Sequence, residues 1–142
     1  MGEEKLQNSA IAGTLAIDLG STTTVVAFAA ANERSPRLLD LPPISQRVGE
    51  VPSLLWLSDE SPLLGQQVLD AGLADQDDPL LARDFKRHIG RTEIDSQDKG
   101  SQVKDDQAAR AGALLLKGIW SLLPQQLRVE RLVLTAPVET YR

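Results

Sequence analysis

The chain has 142 residues, of which 42% are hydrophobic, enough apolar material for one packed core. Only 4% are aromatic, so that core is built from Leu, Val, Ile and Ala, with Phe28, Trp56, Phe85 and Trp120 as its few large pieces. Twenty acidic against fifteen basic residues leave a net charge of −5, which works against binding nucleic acid or an anionic membrane, and the lack of cysteine excludes disulfides and thiolate metal sites.

Residues 14–19 form a short apolar run and residues 23–30 a second, rich in β-branched residues. Gly20, Ser21 and Thr22 lie between them, so the spacing predicts two strands joined by a tight polar turn. A third run, residues 37–41, ends at Pro42 and Pro43, where two prolines remove backbone donors and close the first unit. Residues 53–57 predict a further strand, followed by a polar turn over residues 58–62 and the apolar pair Leu63 and Leu64.

Residues 66–74 predict a helix with Val68, Leu69 and Leu73 near one face. Asp77, Asp78 and Pro79 then predict a stop and a new helix over residues 80–89, ended by Gly90. Residues 92–106 hold only Ile94 and Val103 as large apolar residues, which predicts an exposed loop or strand pair. The next stretch, residues 107–123, places Ala108, Ala111, Leu115, Ile119 and Leu122 at helical spacing before Pro124. Residues 129–136 predict a buried strand ending at Pro137. No run approaches the roughly 18 apolar residues of a membrane span, polar residues follow Met1, and the cytoplasm is the expected compartment.

The chemistry concentrates in Ile17-Asp18-Leu19-Gly20-Ser21-Thr22-Thr23, a carboxylate at the end of an apolar strand followed by glycine and hydroxyl residues. Glycine lets the backbone approach an anion, the N–H groups and hydroxyls can donate to phosphate oxygens, and Asp18 can hold a hydrated Mg²⁺. It is not a Walker loop, which needs Gly-Lys-Ser/Thr opening a helix. The plainer alternative is a β-hairpin whose turn uses these residues for their backbone chemistry alone.

A second feature is the block Asp84-Phe85-Lys86-Arg87-His88-Ile89-Gly90-Arg91. By itself it also suits a solvated helix end, where cations favour the dipole. His88 is read as structural or surface, because no metal-ligand pattern accompanies it. The order of five segments narrows the choice: the Asp-Leu-Gly-Ser-Thr turn; Val51-Pro52-Ser53; Leu64-Gly65-Gln66; Phe85-Lys86-Arg87-His88-Ile89-Gly90-Arg91; and Leu132-Val133-Leu134-Thr135-Ala136-Pro137.

That order and spacing resemble the N-terminal part of the ATPase domain of Hsp70 (DnaK-like) chaperones, in a divergent member. The resemblance implies an α/β chain with a partial actin-like ATPase (ribonuclease H-like) fold, the first half of lobe I with an inserted small α+β subdomain. It divides the chain into a tail (1–13), a sheet subdomain (14–43 and 125–142) and the inserted subdomain (44–124). Lys86 inherits the role of catalytic lysine near the γ-phosphate, and Asp18 that of the aspartate organising the metal and its waters. Gly20, Ser21, Thr22 and Thr23 take the place of the first phosphate loop. Pro137 matches the proline that relays nucleotide state.

ATP or ADP with Mg²⁺ is the implied cofactor of the complete domain, in a stress-response chaperone, with client polypeptides and co-chaperones as partners of the parent protein. The family's second phosphate loop, adenosine-binding residues and peptide-binding domain find no match in these residues. The chain is therefore expected to be either a piece of a longer ATPase, the reading favoured by its stop just after a core strand, or a natural short product that has lost ATPase function. In both cases it is expected to be inactive alone and prone to self-association. The rivals are a non-catalytic interaction module that keeps the fold, and another actin-like ATPase or kinase.

Overall fold

The computed structural model describes residues 10–85 and 99–135. They form a mixed α/β structure of two sheets and two helices. The leading hairpin joins β1 (Ile11–Leu19) to β2 (Thr23–Ala30) antiparallel, with Leu15 opposite Phe28 and Ile17 opposite Val26. Alternation puts Leu15, Ile17 and Leu19 with Thr24, Val26 and Phe28 on one buried face. Small residues, Ala12, Thr14, Ala16, Ala27 and Ala29, stand half-buried on the other face.

Along its outer side β2 carries β3 (Arg37–Leu38) and then β4 (Glu50–Pro52), which pairs with Thr23, Thr24 and Val25. The third run is thus shorter than the expected 37–41. The sheet also reaches past the boundary expected at residues 43 and 44, because β2 still has an unfilled ladder over its first three residues. On the opposite side β8 (Leu127–Thr135) runs parallel to β1, with a register shift between Gly13 and Thr14. Its expected last residue, Ala136, lies outside the described residues.

The second sheet has the order β6-β5-β7, from β5 (Leu54–Trp56), β6 (Leu63–Leu64) and β7 (Leu81–Arg83), all antiparallel. Here the helix expected over residues 80–89 is corrected: residues 81–83 are a strand. Leu81, Ala82 and Arg83 pair with Trp56, Leu55 and Leu54, so cross-strand pairing and burial of Leu81 and Ala82 override the local helical pattern. Asp84 then takes φ 53°, a left-handed conformation that a helix cannot continue through. Residues 86–89 lie outside the described residues.

The helix expected over 66–74 is shorter, α1 (Gln66–Asp70), because Gly72 takes a positive φ of 71° just beyond it. In contrast α2 (Lys99–Ser121) begins eight positions before the expected 107. Part of the expected loop 92–106 is therefore helical from residue 99 on. Lys and Gln are good helix formers, so a shortage of apolar residues does not exclude a helix there.

The core face of α2 matches its spacing: Ala108, Ala111, Leu115 and Ile119 are buried in one cluster with Leu15, Val26, Phe28, Leu41, Val51, Leu55 and Phe85. Residues assigned to separate subdomains thus share a core. The amide of Gln107 donates to the Pro79 carbonyl, and Arg110 pairs with Asp59 at 2.7 Å, tying α2 to the loops beside the second sheet.

One expectation fails for β8. Its Leu132, Val133 and Leu134 are 51%, 45% and 41% exposed, although the apolar run predicted burial. The strand stands at the end of the sheet order, with β1 as its neighbour on one side only among the described residues.

Candidate functional site

Because β1 and β8 are parallel, their carboxyl ends lie on the same edge of the sheet, the edge where open α/β sheets receive ligands. Asp18 and Thr135 are register partners there. The Thr135 hydroxyl donates to Asp18 Oδ1 at 2.5 Å, with the Ile17 carbonyl a more distant 3.4 Å away. Asp18 is exposed, and this bond occupies one of the roughly four acceptor positions of a carboxylate.

The chain leaves β1 through Leu19 and turns at Gly20, Ser21 and Thr22 into β2. Glycine is required at position 20 by close approach: a Cβ there would stand 2.1 Å from the Thr23 carbonyl oxygen. Ser21 and Thr22 are exposed, while Gly20 and Thr23 are half-buried. A carboxylate, a tight turn and two exposed hydroxyl residues thus meet at one end of the sheet.

Beneath the turn lies a hydroxyl chain. The hydroxyl of Ser53, between β4 and β5, donates to the Gly20 carbonyl at 2.8 Å. It has one hydrogen, so its 2.9 Å contact with Thr24 Oγ1 is donated by Thr24. The Ser53 backbone N–H also donates to the Thr22 carbonyl at 2.9 Å. Ser53 and Thr24 are both buried.

Asp18, Gly20, Ser21, Thr22 and Thr23 are therefore gathered at one place. Lys86, His88 and Pro137 lie outside the described residues.

Ser53, Thr24 and Thr135 carry contacts that the sequence reading assigned to no residue. A signal existed for Thr24 and Ser53: a hydroxyl placed where alternation calls for an apolar side chain. Thr24 occupies the face of Val26 and Phe28, and Ser53 interrupts the apolar run from Val51 to Leu57.

Among the described residues no three carboxylate or imidazole groups cluster as a metal cage. A single exposed carboxylate can still serve Mg²⁺, which commonly takes one or two carboxylates and completes its sphere with water and phosphate. No helix among the described residues is long and apolar enough to cross a membrane. Neither a protein-family model nor a curated protein matches the chain.

Proposed function

We propose that this chain supplies the phosphate- and metal-binding turn of an actin-like ATPase of the Hsp70 type. In this reading Asp18 organises the metal, while Gly20, Ser21, Thr22 and Thr23 receive phosphate oxygens of ATP or ADP. Lys86 acts at the γ-phosphate, and Pro137 passes nucleotide state onward. The protein that carries these residues works on client polypeptides with co-chaperones, and the cytoplasm is the compartment that goes with that work.

The observation that carries the reading is the meeting of Asp18, bonded to Thr135, with the tight hydroxyl-bearing turn at the carboxyl ends of two parallel strands. Phosphoryl transfer asks a protein for positioning and charge neutralisation more than for a covalent nucleophile. Bound Mg²⁺ would neutralise charge on the phosphates. Asp18 would fix its waters, and the turn would fix the phosphate oxygens.

A titration of the 142-residue chain with Mg·ATP and with Mg·tripolyphosphate, followed by amide resonances, tests this. Both ligands are expected to shift Ser21 and Thr22 with similar, weak affinity, because the contacts are to phosphate and metal. Failure of both ligands to move these amides would overturn the reading, as would a response to adenosine lacking phosphate.

A further inference from the structure

Ser53 holds the carbonyl groups on both sides of Ser21. Its hydroxyl donates to the Gly20 oxygen at 2.8 Å and its backbone N–H donates to the Thr22 oxygen at 2.9 Å. The only cis peptide among the described residues is Pro42–Pro43, so the Gly20–Ser21 peptide is trans. In a trans peptide the C=O and the following N–H point in opposite directions. With the Gly20 oxygen drawn down to buried Ser53, the Ser21 N–H is turned away from the core, to the side of the exposed Ser21 and Thr22.

We propose that Ser53 is the positioning residue that aims the Ser21 amide N–H at an anionic phosphate oxygen. The proposal rests on the phosphate reading above. Thr24 completes the arrangement by donating to Ser53 Oγ, which leaves the Ser53 hydrogen committed to Gly20. Without the Ser53 hydroxyl the Gly20–Ser21 peptide plane can rotate, and the donor would have to be realigned each time an anion binds. An amide fixed beforehand avoids that reorganisation.

The test uses the whole 142-residue chain and Mg·tripolyphosphate, with affinity read from amide resonances and folding from thermal unfolding of each variant. Ser53→Ala is expected to bind roughly tenfold more weakly and to lose the ligand-induced shift of the Ser21 amide, the scale of one charge-assisted hydrogen bond. Ser53→Thr keeps the hydroxyl and should restore both. Thr24→Val lowers the unfolding temperature too but leaves the Ser53 hydroxyl on Gly20, so it should weaken binding less than Ser53→Ala. If Ser53→Ala and Thr24→Val lose affinity equally, or Ser53→Ala binds like the wild type, the positioning role is overturned while the phosphate reading stands. If the wild-type chain takes no tripolyphosphate, the phosphate reading falls and the proposal falls with it.

Discussion

Thr24 and Ser53, 29 positions apart, share a buried hydroxyl–hydroxyl hydrogen bond of 2.9 Å that joins the first hairpin to the junction of the two sheets. The two partners are not equivalent, because Ser53 also donates to the Gly20 carbonyl while the Thr24 hydroxyl has only Ser53 among the described residues. Thr24→Val takes away one donor and is expected to cost about 1 kcal/mol. Ser53→Ala leaves both the Thr24 hydroxyl and the Gly20 carbonyl without their partner and should cost about 2–3 kcal/mol. The double variant should lose less than the sum, since Thr24→Val removes a group that Ser53→Ala strands. Urea unfolding of the four proteins measures the cycle.

Asp18→Asn should separate metal binding from folding. The carboxylate is exposed and its side-chain partner among the described residues is the Thr135 hydroxyl, whose hydrogen bond an amide oxygen can still accept. Unfolding by urea should change little. The Mg²⁺ dependence of tripolyphosphate binding should fall roughly tenfold or more, because a charged oxygen ligand is replaced by a neutral one. Calorimetry with and without Mg²⁺ checks this, and an unchanged Mg²⁺ dependence would remove Asp18 from the site.

Two glycines with positive φ should respond differently to alanine. Gly65 has φ 57°, and an added Cβ would meet the Ile44 carbonyl at 2.5 Å and Val51 Cγ1 at 2.7 Å. Gly72 has φ 71° and open space around it. Gly72→Ala should therefore cost about 1–2 kcal/mol, the left-handed penalty alone. Gly65→Ala adds a clash with backbone and should cost more, about 3 kcal/mol in total. The urea midpoints of the two variants, compared at equal slope, give the difference.

The exposed apolar stretch of β8 leads to an expectation about association. Leu132, Val133 and Leu134 are each more than two-fifths exposed, on a strand at the end of the sheet order. Exposed edges with apolar side chains pair with other copies. Light scattering at tens of micromolar should show species above the 15.4 kDa chain, and Val133→Lys should shift the distribution toward that mass. A monomer in both proteins would refute it.

Local pattern determined much of this chain. Alternation marked β2 residue for residue and most of β1, since it puts Leu15, Ile17, Val26 and Phe28 on one buried face. Helical spacing likewise marked Ala108, Ala111, Leu115 and Ile119 as the buried side of α2. The carboxylate and the hydroxyl residues of the turn were legible because Gly20 interrupts two apolar runs at that point. Pairing between distant segments was not legible. Residues 81–83 carry a pattern that suits a helix, and they are a strand because β5 offers a ladder to which Leu81, Ala82 and Arg83 can bond. The exposure of Leu134 depends on which strands flank β8, and its own sequence is silent on that. The same holds for the partners of Ser53: its hydroxyl stands out within an apolar run, but only the fold brings it to Gly20, 33 positions earlier, and its backbone to Thr22. Hydrogen bonds between residues so far apart are set by tertiary packing, because no local periodicity records which carbonyl a buried hydroxyl will meet.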